Sequence, residues 1–137
     1  MLCAMTAESV GRRSDRRGRV GQFGEQLAAD FVVGLGWSIL ERNWRNRHGE
    51  LDLIAFDGRA LVVVEVKTRA SRVFDDPVMA VTQEKLARMR RLTGMWLAQQ
   101  AMRWPQIRFD VISVQLDPAD PFVRAGAEVR HHVNVVA

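Results

Sequence analysis

The chain contains one cysteine, Cys3, which excludes an internal disulfide and any zinc site built on cysteines. No apolar run approaches the roughly 20 residues that a membrane helix needs. Met1 to Val10 lacks the apolar core of a secretory signal, and an Arg-rich stretch follows it. No membrane partner is therefore expected, and the cytoplasm is the expected compartment. There is no glycine-rich phosphate loop ahead of a helix and no serine in a nucleophile setting, which sets aside two large classes of enzyme. Lysine is also scarce: of 20 basic residues 18 are Arg, and only Lys67 and Lys85 are Lys. An ammonium differs from a guanidinium in hydration, donor geometry and ease of deprotonation. A chain that uses Arg almost everywhere else points to the amine itself at those two positions.

What is present suits one globular domain. The 137 residues are 47% hydrophobic and 26% charged, with a net charge of +4, long enough for a real core and basic enough for an anionic partner. Residues 1–19 read as a basic, disordered leader, because 11–19 hold five Arg against one Asp and nothing apolar. Residues 20–137 read as a single domain. From Val20 to Leu35 the apolar residues fall at helical spacing and Gly34 and Gly36 end the pattern. Trp37 to Leu40 reads as a short strand before a polar segment. Leu51 to Phe56 and Ala60 to Thr68 read as two strands joined across Asp57-Gly58, a strong hairpin signal. Thr82 is placed to cap a helix reaching about Met102, with Lys85, Arg88 and Arg91 on its outer side. Ile107 to Leu116 and Glu128 to Val136 read as two more strands. The order αβββαββ predicts an α/β fold, one mixed sheet flanked by helices.

The hairpin carries the chemistry. Along Val62–Lys67, alternation puts Val63, Glu65 and Lys67 on one face and Val62, Val64 and Val66 on the other. A two-residue Asp57-Gly58 turn makes Ile54 face Leu61, Asp52 face Val63 and Glu50 face Glu65. Asp52 then shares a face with Glu65 and Lys67 and lies diagonal to Glu65, roughly 7–8 Å away at the backbone. A turn of odd length would flip the parity and dissolve the group. Acids on a largely apolar hairpin are either salt-bridged or bound to a cation. Two carboxylates suit a hard divalent ion such as Mg²⁺, with the Val66 carbonyl as a further ligand. Lys67 would then reach a water and a target phosphate. On this view a Mg²⁺ or Mn²⁺ ion serves phosphodiester hydrolysis. Glu25, in the first helix, is an added acid. Lys85 and Arg88, one turn apart, would grip a nucleic-acid backbone, and Trp44 beside Arg45 would stack on an unpaired base. His131 and His132 are adjacent on a strand, face opposite sides and cannot hold one ion together.

Glu25 on an N-terminal helix, Gly49-Glu50-Leu51-Asp52-Leu53-Ile54-Ala55 and Val64-Glu65-Val66-Lys67-Thr68 resemble the PD-(D/E)XK nuclease superfamily, which has the restriction-endonuclease-like fold. Within it the chain resembles the small bacterial YraN family over about residues 20–135. Gly24-Glu25, Arg42-Asn43-Trp44-Arg45, Asp57-Gly58, Phe74 with Pro77, Ala80-Val81 before Lys85, and Arg108-Phe109-Asp110-Val111 carry that likeness. The order of helix Glu, strand Asp and Glu-x-Lys is also similar to archaeal Holliday-junction resolvases. The resemblance implies that Asp52 and Glu65 hold the metal, that Lys67 orients the attacking water and that Glu25 supports the metal or its waters. It implies a metal-dependent nuclease acting on DNA, branched or junction DNA included, and a homodimer if two cuts are made. Asp75-Asp76 departs from the family's pattern, in which Gly often follows Phe. A silent nucleic-acid-binding or protein-interaction module on the same fold is the rival expectation.

Overall fold

The structure is a computed structural model and describes residues 2–71 and 81–135, with side chains from residue 15 onward. Its elements are α1 (Leu2–Gly34), β1 (Ser38–Asn46), β2 (Gly49–Phe56), β3 (Leu61–Arg69), α2 (Gln83–Ala98), β4 (Ile107–Gln115) and β5 (Glu128–His132), with a 3₁₀ turn at Arg124–Gly126. The strands form one five-stranded sheet in the order β1-β2-β3-β4-β5. All neighbours are antiparallel except β3 and β4. A parallel pair needs a crossover connection, and α2 lies within it. The architecture is the restriction-endonuclease-like α/β fold expected from the sequence. Among the described residues, no helix is long and apolar enough to cross a membrane.

The faces of the sheet follow from β3. Val62 and Val64 pack with Leu27, Ala28 and Val32 of α1, while Leu61 and Val63 pack with Met89, Leu92 and Trp96 of α2. Both layers are apolar because the central strand is covered on both sides. Gly24 sets how close α1 can come: a Cβ there would overlap the side chain of Thr68 on β3. The helix is anchored by its closest approach, one residue before Glu25.

Several boundaries differ from the sequence reading. Residues 2–19, expected as a disordered leader, are helical and continuous with the packed part of α1; Arg, Ala, Met and Leu are good helix formers that need no apolar stripe to adopt the conformation. The first strand is longer than Trp37–Leu40 and runs through the polar residues to Asn46. As a sheet edge it is held by its ladder to β2 and needs no alternation of its own, and the register shifts between Ile39 and Glu41. The α2 helix has the predicted Thr82 cap, whose hydroxyl accepts from the Lys85 amide, but stops at Ala98. Strand β5 stops at His132, before Asn134 takes a left-handed φ of 56°. The Phe74–Pro77 segment, with Asp75 and Asp76, and Ala80 lie outside the described residues.

The turn of the central hairpin is also not the two-residue type I′ turn. Phe56 pairs with Leu61, so the loop spans Asp57–Ala60. Asp57 Oδ1 accepts from the amides of Arg59 at 2.8 Å and Ala60 at 2.7 Å, and Gly58 takes a φ of +101°. The carboxylate does the closing that a tighter turn would have done with backbone alone. Ile54 therefore pairs with Val63 rather than Leu61. The slip is two residues, so the parity of the paired stretch from Leu53 to Phe56 is kept.

A buried polar network ties this loop to the far strands. Asp110 on β4 is 0% exposed. It accepts a two-pronged pair of hydrogen bonds from Arg108 (Nε at 2.9 Å, Nη2 at 3.0 Å), one from the Asn134 amide at 2.8 Å, and meets His131 Nε2 at 2.8 Å. Arg108 Nη1 reaches back to Asp57 Oδ2 at 2.8 Å. These contacts hold Asp110 below the usual carboxylate range: burial opposes its charge, and the His131 and Arg108 hydrogen bonds outweigh that.

Candidate functional site

The site forms where β2 and β3 part. Their described backbone pairing ends at Leu53 with Val64. One step further the register sets Asp52 directly opposite Glu65, where the shorter turn had placed it diagonally. There the Val66 amide donates to Asp52 Oδ2 at 2.8 Å, so a carboxylate takes the place of a main-chain partner. Strict alternation fails at the same point. Leu51 and Ile54, three residues apart, both pack toward α2, while Leu53 packs toward α1. The resulting gap is reached from both faces of the sheet. Glu25 enters from α1 and Lys85 from α2.

Three acids converge on it: Glu25, Glu50 and Asp52 each offer a carboxylate oxygen within 4.8 Å of the other two. Asp52 is pushed up to about 8, by burial first and then by the charge of Glu65, with Glu25 and Glu50 adding; the single Val66 hydrogen bond offsets only part of this. Glu25 is also raised, by burial and by Glu50, against a hydrogen bond from Asn43 and the charges of Arg42 and Arg45. Arg45 Nη2 pairs with Glu50 Oε2 at 3.2 Å.

Glu65 is the meeting point of the only two lysines in the chain. Lys85 Nζ lies 2.6 Å from its Oε1 and Lys67 Nζ 3.9 Å from the same atom. Two ammoniums on one carboxylate cannot both be fully served. Contact with Lys85, then burial, pulls Lys67 below the usual amine range. Lys85 goes the other way: burial opposes its charge, but the Glu65 hydrogen bond and charge outweigh it. A cavity of about 320 Å³ opens beside the gap, lined by Glu50, Asp52, Glu65, Lys85 and Arg88 among others.

Asp52, Glu65, Lys67 and Glu25 thus come together. Lys85 is drawn further in than expected, half-buried on Glu65 instead of standing on an outer face. Arg88 is exposed and lines the cavity. Trp44 is half-buried against the α2 cluster, a packing position. Val66 meets Asp52 through its amide. Sequence reasoning gave no role to Asn43. The pairs Arg42 with Leu53 and Trp44 with Leu51 set it opposite Asp52, and it holds Glu25 from a φ of 52°. Asn tolerates that left-handed conformation better than other side-chain-bearing residues, so an Asn inside a strand was the available signal.

A family model described as "Uncharacterised protein family UPF0102" matches residues 24–114, from Gly24 within α1 into β4. A UPF0102 protein of Mycolicibacterium vanbaalenii is 52% identical over 103 residues, 75% of this chain and 85% of the relative. One of Mycolicibacterium gilvum is 49% identical over 106 residues, 76% and 86%. One of Mycobacterium tuberculosis is 49% identical over 104 residues, 74% and 81%.

Proposed function

The chain belongs to the UPF0102 (YraN) family, within the restriction-endonuclease-like superfamily, and we propose that it is a metal-dependent nuclease that hydrolyses phosphodiester bonds of DNA. The observation that carries this reading is the crowding of Glu25, Glu50, Asp52 and Glu65 at one gap, with Asp52 half-buried and accepting a single described hydrogen bond. A stabilising cluster would pair its acids with cations one for one; this cluster leaves Asp52 among acids.

The donor set fits a hard cation, being all oxygen and rich in charge. Glu25, Glu50 and Asp52, with Glu65 beside them, would hold Mg²⁺ or Mn²⁺, whose chemistry is to neutralise phosphate charge and lower the pKa of water. Lys67 orients the attacking water and offers positive charge to the phosphate. Lys85 fixes the Glu65 carboxylate, and Asn43 fixes Glu25. Arg88, on the rim, takes a backbone phosphate without regard to sequence.

The test compares wild-type, Asp52→Ala and Lys67→Ala protein on linear, flapped and four-way DNA with Mg²⁺ or Mn²⁺. Loss of at least about a thousandfold in cleavage is expected for both variants. Cleavage that survives both substitutions removes the proposed site, and binding without cutting in all three favours the silent-module reading. The mass in solution bears on junction cutting, which needs two copies.

A further inference from the structure

Behind the acid cavity lies a second one of about 310 Å³, between the β1–β2 turn and α2, lined by His48, Arg88, Arg91, Leu92 and Met95. The two cavities share Arg88 and Leu92 and so adjoin along the helix. Their characters differ. The first is lined by three carboxylates beside Lys85 and Arg88, and the second by two guanidiniums and an imidazole over an apolar floor, with no carboxylate in its lining.

Among the described residues, some exposed arginines pair with an acid and others, Arg59 included, do not. Exposed Arg19, Arg45, Arg124 and Arg130 each lie within 4 Å of a carboxylate. Among the described residues, Arg88 and Arg91 have no acid partner, although both stand one turn apart on α2. Arg47 Nε donates to His48 Nε2 at 3.2 Å, which leaves Nδ1–H as that ring's donor. The turn is held against α2 at Gly49, where a Cβ would meet Leu92 Cδ1 at 3.2 Å and Arg88 Cδ at 3.7 Å, and by Asn46 Nδ2 on Met95 Sδ at 3.3 Å.

Lys85, Arg88 and Arg91 recur every three residues on α2, Lys85 committed to Glu65 at the gap and Arg88 and Arg91 continuing the row in solvent, with steps of about 5–6 Å between neighbouring side-chain bases. That step is close to the separation of successive phosphates in a strand. A small monoanion would occupy one step of such a row, whereas a polyanion uses all of it. We propose that the His48–Arg88–Arg91 cavity is a phosphate subsite, which takes a second backbone phosphate of the strand whose scissile phosphate lies at the Asp52–Glu65 gap. The subsite rests on the nuclease reading for the phosphate at the gap, and it gives the strand a fixed path: from the gap, past Arg88, toward Arg91 and the β1–β2 turn.

The test is binding of a labelled DNA duplex with a single-stranded flap to the full chain without divalent metal, titrated over a series of salt concentrations. Each phosphate contact adds about 0.7–0.9 to the slope of log affinity against log salt. Arg88→Ala and Arg91→Ala should each lower the slope by about that amount and weaken binding about tenfold at low salt. Arg59→Ala, at another exposed arginine in the Asp57–Ala60 loop, should leave the slope unchanged. An equal loss in Arg59→Ala, no loss in Arg91→Ala, or no binding by the wild-type chain overturns the subsite. The two readings fail separately. Binding that depends on Arg91 without any cleavage sinks the nuclease and keeps the subsite; Asp52-dependent cleavage with binding indifferent to Arg91 does the reverse.

Discussion

Two aspartates in the sheet show how little burial alone says about function. Asp110 is 0% exposed, more deeply buried than the half-buried Asp52, yet its carboxyl is held below the ordinary range while that of Asp52 is pushed up to about 8. The difference is company. Asp110 is met by a guanidinium on both oxygens, a backbone amide and an imidazole; Asp52 has one amide and three acids around it. The first is a completed structural pair. The second is a set of acceptors waiting for positive charge, which is how a site looks when its ligand supplies the missing partner.

The comparison breaks most visibly at Asp110. Asp110→Ala leaves Arg108 and His131 facing a void, and removing one partner of a buried ion pair costs about 3–5 kcal/mol. Urea denaturation should show that loss as a fall in the midpoint; a loss under about 1 kcal/mol would mean that the network is ornamental. Gly24→Ala comes next, because its Cβ would overlap Thr68 and overpacking costs about 1–3 kcal/mol. Pushing α1 off β3 also carries Glu25 from the acid gap, so this variant should lose cleavage as well as stability. Adding Thr68→Ala should return part of both. Recovered stability without recovered cleavage would separate Glu25 from the site.

How much of this was legible follows from what each feature depends on. The helix on Phe23, Leu27 and Phe31, the apolar β3 and the Thr82 cap rest on local periodicity and capping, and they stand where the sequence puts them. The acid face of the hairpin was legible only through parity. The turn is two residues longer than its Asp-Gly pair suggests, and an even difference preserves parity while moving Asp52 from diagonal to opposite. The length of β1 was not legible, since Arg42, Asn43 and Arg45 gain strand conformation from β2 and not from their own pattern. Nor was the meeting of Lys85 with Glu65, which depends on how α2 seats across the sheet. Arg108 and Asp110 were visible only as part of a family pattern, because their partners Asp57, His131 and Asn134 are up to 51 residues away in sequence.

The smallest effect is the one that sharpens the comparison furthest. In the metal-free protein, Asp52 binds its proton up to about pH 8 when folded but only to about pH 3.8 when unfolded. Between those values the native state holds more protons, so its stability falls as pH rises, the reverse of the usual carboxylate. Asp110, whose carboxyl is lowered, contributes stability that is present above its unfolded value of 3.8 and lost as pH falls through its folded one. Asp52→Asn keeps an acceptor for the Val66 amide and removes the buried charge. It should therefore stabilise the metal-free chain by on the order of 1–2 kcal/mol at pH 8, with the gain shrinking toward pH 4, as thermal midpoints across that range would show. Adding Mg²⁺ or Mn²⁺ should reverse the order. A cation at a hundredfold excess over its Kd adds about 2.7 kcal/mol to the form that binds it, so the wild-type midpoint should rise past that of Asp52→Asn, whose own midpoint stays put. If both proteins respond equally to the metal, the strain at Asp52 belongs to the fold alone, and the contrast with Asp110 would no longer mark a site.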